Sequence, residues 1–279
     1  MRRIFALLIG ASLIMALLCG CDDNSEAVSS LPTVDYPVTA FDKTISACPQ
    51  RVVSLSPAVT DIIVELGSDA QLAGVSDFCR TDKELERCGT SLEPDIEGIK
   101  ALSADLVFAT TAITDDDKAS IEALGAVVID VRAARDYTEL LSLYKQVASA
   151  MSGGITGPRN ASNTFDRLDA ELKSIADKKK EKVSVAVYFS PTMLIPSGCL
   201  ADDLIALAGG KNVAKAEGET DDAIRSKKPQ IILCPPESVD SFKERFEGIR
   251  VEGFDMTLLE SHGGKLVDAV GQMNAIFAS

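Results

Sequence analysis

Few side chains in this sequence are suited to catalysis, and the clearest of them is one histidine. His262 is the only histidine in 279 residues, and there is no tryptophan. Sites that need several imidazoles, including metal sites built on a histidine cluster, are therefore excluded. An enzyme could still use Cys199 or a serine as the nucleophile with His262 as the base, but there is no Gly-x-Ser-x-Gly motif and nothing near Cys199 that would activate its thiol. The residue types favour binding over catalysis, with this enzyme as the alternative.

The N-terminus is typical of a secretory signal. Two arginines precede an apolar run over residues 4–18, which is shorter than a comfortable membrane span. The run ends in Leu-Cys-Gly-Cys and resembles a bacterial lipobox, so we expect residues 1–20 to be removed, Cys21 to carry lipid, and residues 21–47 to form a lipidated tether. A plain signal peptide or a short membrane anchor is the alternative. The protein would then be held at the cell membrane on its extracytoplasmic (periplasmic) face, where the enzyme alternative would also act.

The remaining cysteines suggest one disulfide and no metal site. Five of the seven cysteines lie beyond Cys21, so at least one thiol stays free or pairs outside the chain. Cys79 and Cys88 flank a short polar loop and are the best candidates for a disulfide, which would stabilise the fold by about 2–3 kcal/mol. No spacing resembles a zinc or iron–sulfur site, so no metal and no protein-bound cofactor are expected.

The net charge excludes one class of partner. The chain has 42 acidic and 28 basic side chains, a formal net charge of −14. Such a field repels nucleic acid, and no basic patch interrupts it. We therefore expect no nucleic-acid partner.

Strands and helices are predicted to alternate twice along the chain. In the first half, residues 51–55 form a short β-branched run, residues 72–75, 105–109 and 126–131 are predicted as further strands, and the helical patterns between them end at glycines. The pair Ser56-Pro57 follows the first run and suits the start of a helix. Alternation of this kind predicts a mostly parallel sheet covered on both faces.

A long helix interrupts the alternation, which then restarts. Residues 159–178 contain no glycine or proline and carry apolar side chains at three- and four-residue steps. A strand over residues 183–189 follows, and it ends in Ser190-Pro191, a second Ser-Pro pair. The segments 97–101 and 222–226 also match in residue type and precede strand cores at equal distances; chance similarity is the alternative. We predict two similar α/β lobes, over residues 48–151 and 183–279, joined by a helix within residues 152–182.

Several segments resemble the helical-backbone (class III) substrate-binding proteins of ABC transporters, the receptor family for vitamin B12, ferric siderophores and haem. The resemblance extends from about residue 48 to the C-terminus, and its most specific segments are residues 51–61, 72–76, 96–102 and 208–213. It implies two Rossmann-like α/β lobes joined by a single long rigid helix, with the ligand in the cleft between the lobes. It also implies capture of a small molecule and its delivery to a permease dimer with ATPase subunits, without catalysis.

The ends of the predicted strands give the candidate ligand contacts. In open α/β sheets, ligands bind beyond the carboxyl ends of the strands. The aromatic side chains could make flat apolar contact with a macrocycle or chelate, and Arg80 could pair with a carboxylate or phosphate or could equally be a solvated loop charge. The loop that carries His262 faces the cleft in this family, and a surface histidine is the alternative. The complete set is Ser56, Pro57, Phe78, Cys79, Arg80, Tyr188, Phe189, Ser190, Pro191 and His262.

Two acidic residues correspond to the family's permease contacts. In related receptors, one acid on each lobe meets arginines of the two permease halves, and Glu97 and Asp222 occupy these positions here. Asp222 departs from the usual glutamate and is shorter by one methylene. The alternative role of both acids is to stabilise a helix N-terminus.

The resemblance leaves more than one ligand open. The segment Asp77-Phe78-Cys79 is similar to an Asp-Tyr-Cys loop of sequences assigned to cobalamin, although the proline-rich continuation common there is absent. Cobalamin, or a related corrinoid or iron chelate, is the first expectation, and a ferric siderophore or haem is the alternative. Haem would need His262, Tyr188 or another tyrosine as its ligand.

Overall fold

The computed structural model describes residues 35–176 and 181–279. The predicted signal peptide and the lipidation site Cys21 lie outside these residues. Two parallel sheets form the centres of two α/β lobes, so the predicted fold class is confirmed. None of the helices in the described ranges has both the length and the apolar character that a membrane span requires.

The N-terminal lobe contains a five-stranded sheet in the order β5-β4-β3-β6-β7, in which every pair is parallel. Its elements, in chain order and with a preceding hairpin, are β1 (Val38–Ala40), β2 (Lys43–Ile45), β3 (Val52–Ser54), α1 (Pro57–Glu65), β4 (Leu72–Val75), β5 (Glu86–Arg87), α2 (Ile96–Ala101), β6 (Leu106–Thr110), α3 (Asp115–Glu122), β7 (Val127–Val131) and α4 (Tyr137–Ser152).

Both faces of this sheet are buried, which explains why its strands have apolar residues at consecutive positions. Phe108 on β6 packs in the cluster that contains Leu140 of α4. The preceding residue, Val107, packs on the opposite face with Ile99 of α2 and Ile121 of α3. The carboxyl ends of the strands are left for the loops that build the site.

The predicted tether is shorter than expected, because residues 38–45 fold onto the N-terminal lobe. β1 and β2 form an antiparallel hairpin whose Ala40 and Ile45 are buried. The segment that leads into the hairpin is attached to helix α4 by the Tyr36 hydroxyl, which donates to the carbonyl of Ala150 at 3.0 Å. The hairpin therefore belongs to the folded N-terminal lobe, so residues 38–45 are not part of the predicted tether.

The C-terminal lobe has the strand order β10-β8-β11-β12, again parallel, with a short antiparallel strand, β9, paired to β8. A helix α5 (Thr156–Ile175) precedes it. Its elements are β8 (Val183–Ser190), β9 (Met193–Leu194), α6 (Leu200–Leu207), β10 (Gly210–Asn212), α7 (Asp221–Ser226), β11 (Ile231–Cys234), α8 (Val239–Arg245), β12 (Arg250–Gly253) and α9 (Lys265–Ala278).

The long helix α5 joins the lobes and starts three residues earlier than predicted. It packs against α4 on one side and α9 on the other. Gly157 lies in its first turn rather than before it, where a Cβ atom would stand 2.3 Å from the carbonyl oxygen of Ala148. The glycine is therefore required by the close approach of α4 and α5, and Pro158 is tolerated because it lies in the first helical turn.

Candidate functional site

The candidate site is a cleft formed by two adjoining cavities of about 850 and 730 Å³ that share Glu260 in their walls. The larger cavity is lined by loops at the carboxyl ends of β3, β4, β6 and β7 and, opposite them, by residues 255–265 from the C-terminal lobe. The smaller is lined only by C-terminal residues, most of them apolar. The cleft therefore lies at the strand ends where parallel sheets bind ligands.

Ser56 and Pro57 shape the wall of the larger cavity by starting helix α1. The Ser56 side chain caps the helix by accepting a hydrogen bond from the amide of Val59, and Pro57 is its first residue. The helix start is buried, and Thr60 donates to Ser54 at 2.8 Å beneath it. Both residues lie at the cleft, where the sequence analysis expects them, although the Ser56 hydroxyl already accepts the hydrogen bond from Val59.

The loop after β4 presents alternate residues to the cavity. Phe78 is 71% exposed and lines the larger cavity together with Arg80. Cys79 points the other way: it is buried, lines neither cavity, and has its Sγ atom 3.1 Å from Oγ1 of Thr60. The prediction that Cys79 contacts the ligand is therefore wrong.

The predicted disulfide between Cys79 and Cys88 is also absent; both cysteines are free and buried. They lie in different hydrophobic clusters, on opposite faces of the N-terminal sheet. Cys88 packs against Gly74, where a Cβ atom would come within 2.6 Å of its Sγ atom. Because the two thiols point to opposite faces, the short loop between them cannot bring them into bonding distance.

His262 is buried in the wall of the larger cavity, with 6% of its surface exposed. Its Nδ1 atom lies 3.0 Å from the carbonyl oxygen of Glu260. Since a carbonyl can only accept, Nδ1 carries the proton in this arrangement and Nε2 keeps its lone pair. Burial lowers the pKa of His262, which favours this neutral form. Nε2 has no hydrogen-bond partner among the described residues, so it is an unused acceptor.

Hydrogen bonds between the lobes hold the His262 loop against helix α1. Oδ2 of Asp61 accepts from the Ser261 hydroxyl at 2.8 Å and from the amide of His262 at 3.1 Å. The amide of Gly264 donates to Glu65 at 3.0 Å. The C-terminal wall of the larger cavity is thereby attached directly to the N-terminal lobe.

Of the four residues predicted at the end of β8, only Phe189 lines the cleft, in the smaller cavity. Successive residues of a strand point to opposite faces. Tyr188 is buried on the far face, where its hydroxyl bonds Asp221 at 3.0 Å and its ring lies 4.9 Å from that of Phe242. Ser190 and Pro191 line neither cavity, so the structure contradicts the predicted ligand contacts of all three.

The cleft also contains residues that the sequence analysis does not identify. Arg132 directly follows β7, so its position at a strand end was a usable signal. The turn to β9 brings apolar residues into the smaller cavity, and a two-residue strand has no distinct pattern. Partial burial raises the pKa of Glu260, and the nearby charge of Arg80 opposes this effect. The further residues include Asp61, Thr110, Thr111, Met193, Leu194, Ile195, Pro196, Leu258, Leu259 and Lys265.

The enzyme alternative has no supporting geometry. Cys199 lines the smaller cavity and its thiol contacts the carbonyl of Pro196 at 3.3 Å, whereas His262 lines the larger. No hydrogen bond joins these two side chains in the described part of the chain. Within the same residues, no group of three or more His, Cys, Asp or Glu side chains is arranged to hold a metal ion.

Glu97 and Asp222 occupy equivalent positions on the two lobes. Each is the second residue of a short helix, α2 or α7, that begins after a side-chain cap. Each pairs with a base three residues later, Lys100 or Arg225, and their side chains are 81% and 92% exposed. The following strands, β6 and β11, are parallel to their neighbours, so both helices begin at the carboxyl edges of their sheets.

Comparisons with known proteins identify the same architecture. A family model described as "Periplasmic binding protein" matches residues 52–246. The chain is 25% identical over 302 residues to the uncharacterised ABC transporter substrate-binding lipoprotein YvrC of Bacillus subtilis, covering 95% of each. It is 21% identical over 222 residues to a cobalamin-binding protein of Halobacterium salinarum, covering 75% of this chain and 60% of that protein.

A solved structure gives the same result for the fold. The periplasmic haem-binding protein HutB of Vibrio cholerae superimposes with a TM-score of 0.68 at 17% identity, covering 82% of this chain and 99% of that one. The relatives thus carry the names of different ligands on one architecture. The fold therefore does not select between these ligands.

Proposed function

The chain belongs to the periplasmic binding protein family, and from this premise we propose that it captures cobalamin, or a related metal chelate, and delivers it to the permease of an ABC importer. It is a substrate-binding protein of the ABC-importer type and not an enzyme. The observation that carries the ligand proposal is the cleft, in which Phe78 of one lobe and Phe189 of the other line adjoining cavities. Clefts of this size, with aromatic and apolar side chains and a few polar groups in their walls, are typical of small-molecule binding sites.

Two further observations support a corrinoid. The exposed Phe78 lies in the loop whose sequence is similar to that of receptors assigned to cobalamin. The relative from Halobacterium salinarum is named a cobalamin-binding protein. Haem or a ferric siderophore is the second candidate, and the likeness to the haem-binding protein HutB favours haem.

A direct binding test uses soluble protein that begins at Asp22. After mixing with cyanocobalamin and desalting, we expect the protein fraction to keep corrinoid absorbance at a one-to-one ratio. Phe78→Ala should weaken binding by about tenfold or more, because an aromatic ring contributes much of the contact with a ligand. Leu92→Ala is the control, since Leu92 is similarly exposed and lines neither cavity. A colourless fraction from folded protein would contradict the cobalamin assignment.

We further propose that lipid on Cys21 holds the protein at the membrane, on its extracytoplasmic face. The lipobox-like sequence supports this, as does the lipoprotein name of the relative YvrC. Cys21→Ser should move the protein into the soluble fraction, whereas Cys19→Ser should leave it on the membrane. Membrane retention of the Cys21 variant would refute lipidation at this residue.

A further inference from the structure

Three basic side chains in the larger cavity make neither a hydrogen bond nor an ion pair with the described residues, although the charges of Arg80 and Arg132 act on Glu260 and Glu139 at longer range. Arg80, Arg132 and Lys265 line this cavity and make no hydrogen bond or ion pair there. Seven of the ten arginines in the described ranges donate hydrogen bonds to the protein itself. The other three are Arg80, Arg132 and Arg159, so two of the three free guanidinium groups are in the cleft.

The net charge makes these free cations unusual. With a formal charge of −14, the chain has more acidic side chains than it needs to pair with every basic one. Lys265 is moreover the first residue of α9, where a cation is disfavoured by the helix dipole. Local helix stability therefore does not explain a lysine at that position.

The same cavity also holds three acidic residues, but none of them makes a hydrogen bond or ion pair with the three cations. Asp61 accepts hydrogen bonds from Ser261 and His262, and Asp255 accepts from the amide of Thr257 at 3.0 Å. Glu260 is the remaining acid, and it makes no ion pair with Arg80 at bonding distance. The larger cavity thus offers unused donors for an anion, while the smaller is lined by apolar residues that include Phe189, Met193 and Ile195.

We propose that Arg80, Arg132 and Lys265 form an anion-binding side of the cleft, which takes a phosphate or carboxylate group of the ligand while the smaller cavity takes its apolar face. This inference deepens the proposed function and rests on it, since it names the ligand chemistry of the same cleft. Guanidinium groups suit it because their paired N–H donors match the oxygens of such anions. A corrinoid would present the phosphodiester of its nucleotide loop, and a porphyrin would present its carboxylates.

The test uses two pairs of probes in which only one member carries the anionic group; the corrinoid pair differs by the whole nucleotide loop, whereas the haemin pair differs only by esterification of the carboxylates. Cyanocobalamin is compared with dicyanocobinamide, which lacks the nucleotide loop and its phosphodiester, and haemin is compared with haemin dimethyl ester. For the probe class that binds, we expect the member that carries the phosphodiester or free carboxylates to bind at least about tenfold more tightly than the member without them. Added salt should weaken binding of the member with the anionic group alone, because exposed charges are screened.

The double variant Arg80→Gln/Arg132→Gln should markedly reduce this difference within the pair and its salt dependence, because it removes two of the three cations. Arg159→Gln is the matched control, because Arg159 is the third arginine without a hydrogen bond and lines neither cavity. Thermal unfolding of all variants checks that the fold is retained, and binding of the probe without the anionic group provides a second check on the cleft.

The outcomes separate this proposal from the cobalamin assignment. Equal affinity of wild-type protein for both members of a pair, or a double variant that keeps the difference, would overturn the anion-binding side while leaving a corrinoid or porphyrin receptor. Wild-type protein that keeps haemin and no corrinoid would overturn the cobalamin assignment, and the haemin pair then decides the present proposal. Binding of none of the four probes would overturn both.

Discussion

At the scale of single residues, burial separates the thiols of the two lobes into reactive and unreactive groups. Burial raises the pKa of Cys88 and of Cys234, each to about 11, and raises the pKa of Cys79 as well. Cys48 is exposed and Cys199 is half-buried. Because the thiolate is the nucleophile, a group with a pKa of 11 has only about one reactive molecule in a thousand at pH 8.

We therefore expect iodoacetamide to label native protein from Asp22 onward in a fixed order. Cys48 should react first and Cys199 more slowly, while the three buried cysteines should react only after unfolding. Peptide mass spectrometry after timed labelling at pH 8 measures this order. In denaturant without reductant all five cysteines should be labelled, and protection of Cys79 and Cys88 under that condition would mean that they are oxidised together.

The sequence does not show in which direction each side chain points, and this limits what it predicts about the site. Ser56, Pro57, Phe78, Arg80 and His262 were predicted from strand ends and from the family resemblance, and the structure brings them to one cavity. Cys79 and Tyr188 lie at the same strand ends but point away from it. A shift of one residue reverses the face in an extended segment, and composition does not determine which residue of an adjacent pair faces the cleft.

At the scale of elements, the contact between α4 and α5 supports the connection between the lobes. Phe165 of α5 is buried, and its ring centroid lies 5.2 Å from that of Tyr137 and 5.6 Å from that of Tyr144, both on α4. The hydroxyl of Tyr144 donates to the carbonyl of His262 at 2.9 Å. The helix pair thus positions the cavity wall as well as joining the lobes.

Replacing Phe165 with alanine should lower the free energy of unfolding by about 3–5 kcal/mol, because it removes a buried ring from this contact. The matched control is Phe78→Ala, which removes the same atoms from an exposed position and should change stability by about 0.5 kcal/mol or less. Urea denaturation followed by circular dichroism measures both values. Equal destabilisation by the two variants would contradict the proposed importance of the helix contact.

Some strands and helices can be predicted from the sequence much more accurately than others. The strands β3, β4, β6, β7 and β8 are predicted to within one or two residues, since each is a short, mostly apolar run between turn signals. Helix α4 had a usable signal, because Asp136 caps it by accepting from the amide of Glu139, the residue that has capping-box spacing. The two-residue strands β5 and β9 had none, since their pairing depends on distant segments.

At the scale of the whole molecule, each lobe carries an exposed acid at an equivalent helix position. Glu97 and Asp222 have the same helix position, the same pairing with a base three residues later, and high exposure. An exposed ion pair of this kind adds little to stability. We infer that the acids serve to contact the permease, one on each of its halves, as the resemblance implies.

The double variant Glu97→Ala/Asp222→Ala should keep its affinity for the ligand, because neither residue lines a cavity. Transport into cells or proteoliposomes that contain the permease and its ATPase should fall by at least about tenfold, since loss of charged partners at an interface weakens association. The control Asp115→Ala/Asp240→Ala removes two other exposed helix-start acids, each paired with a lysine three residues later. Because the control makes the same change in net charge, a loss of transport confined to the first variant would identify a specific contact. Equal transport by both variants would refute it, and an equal decrease would indicate a general effect of charge.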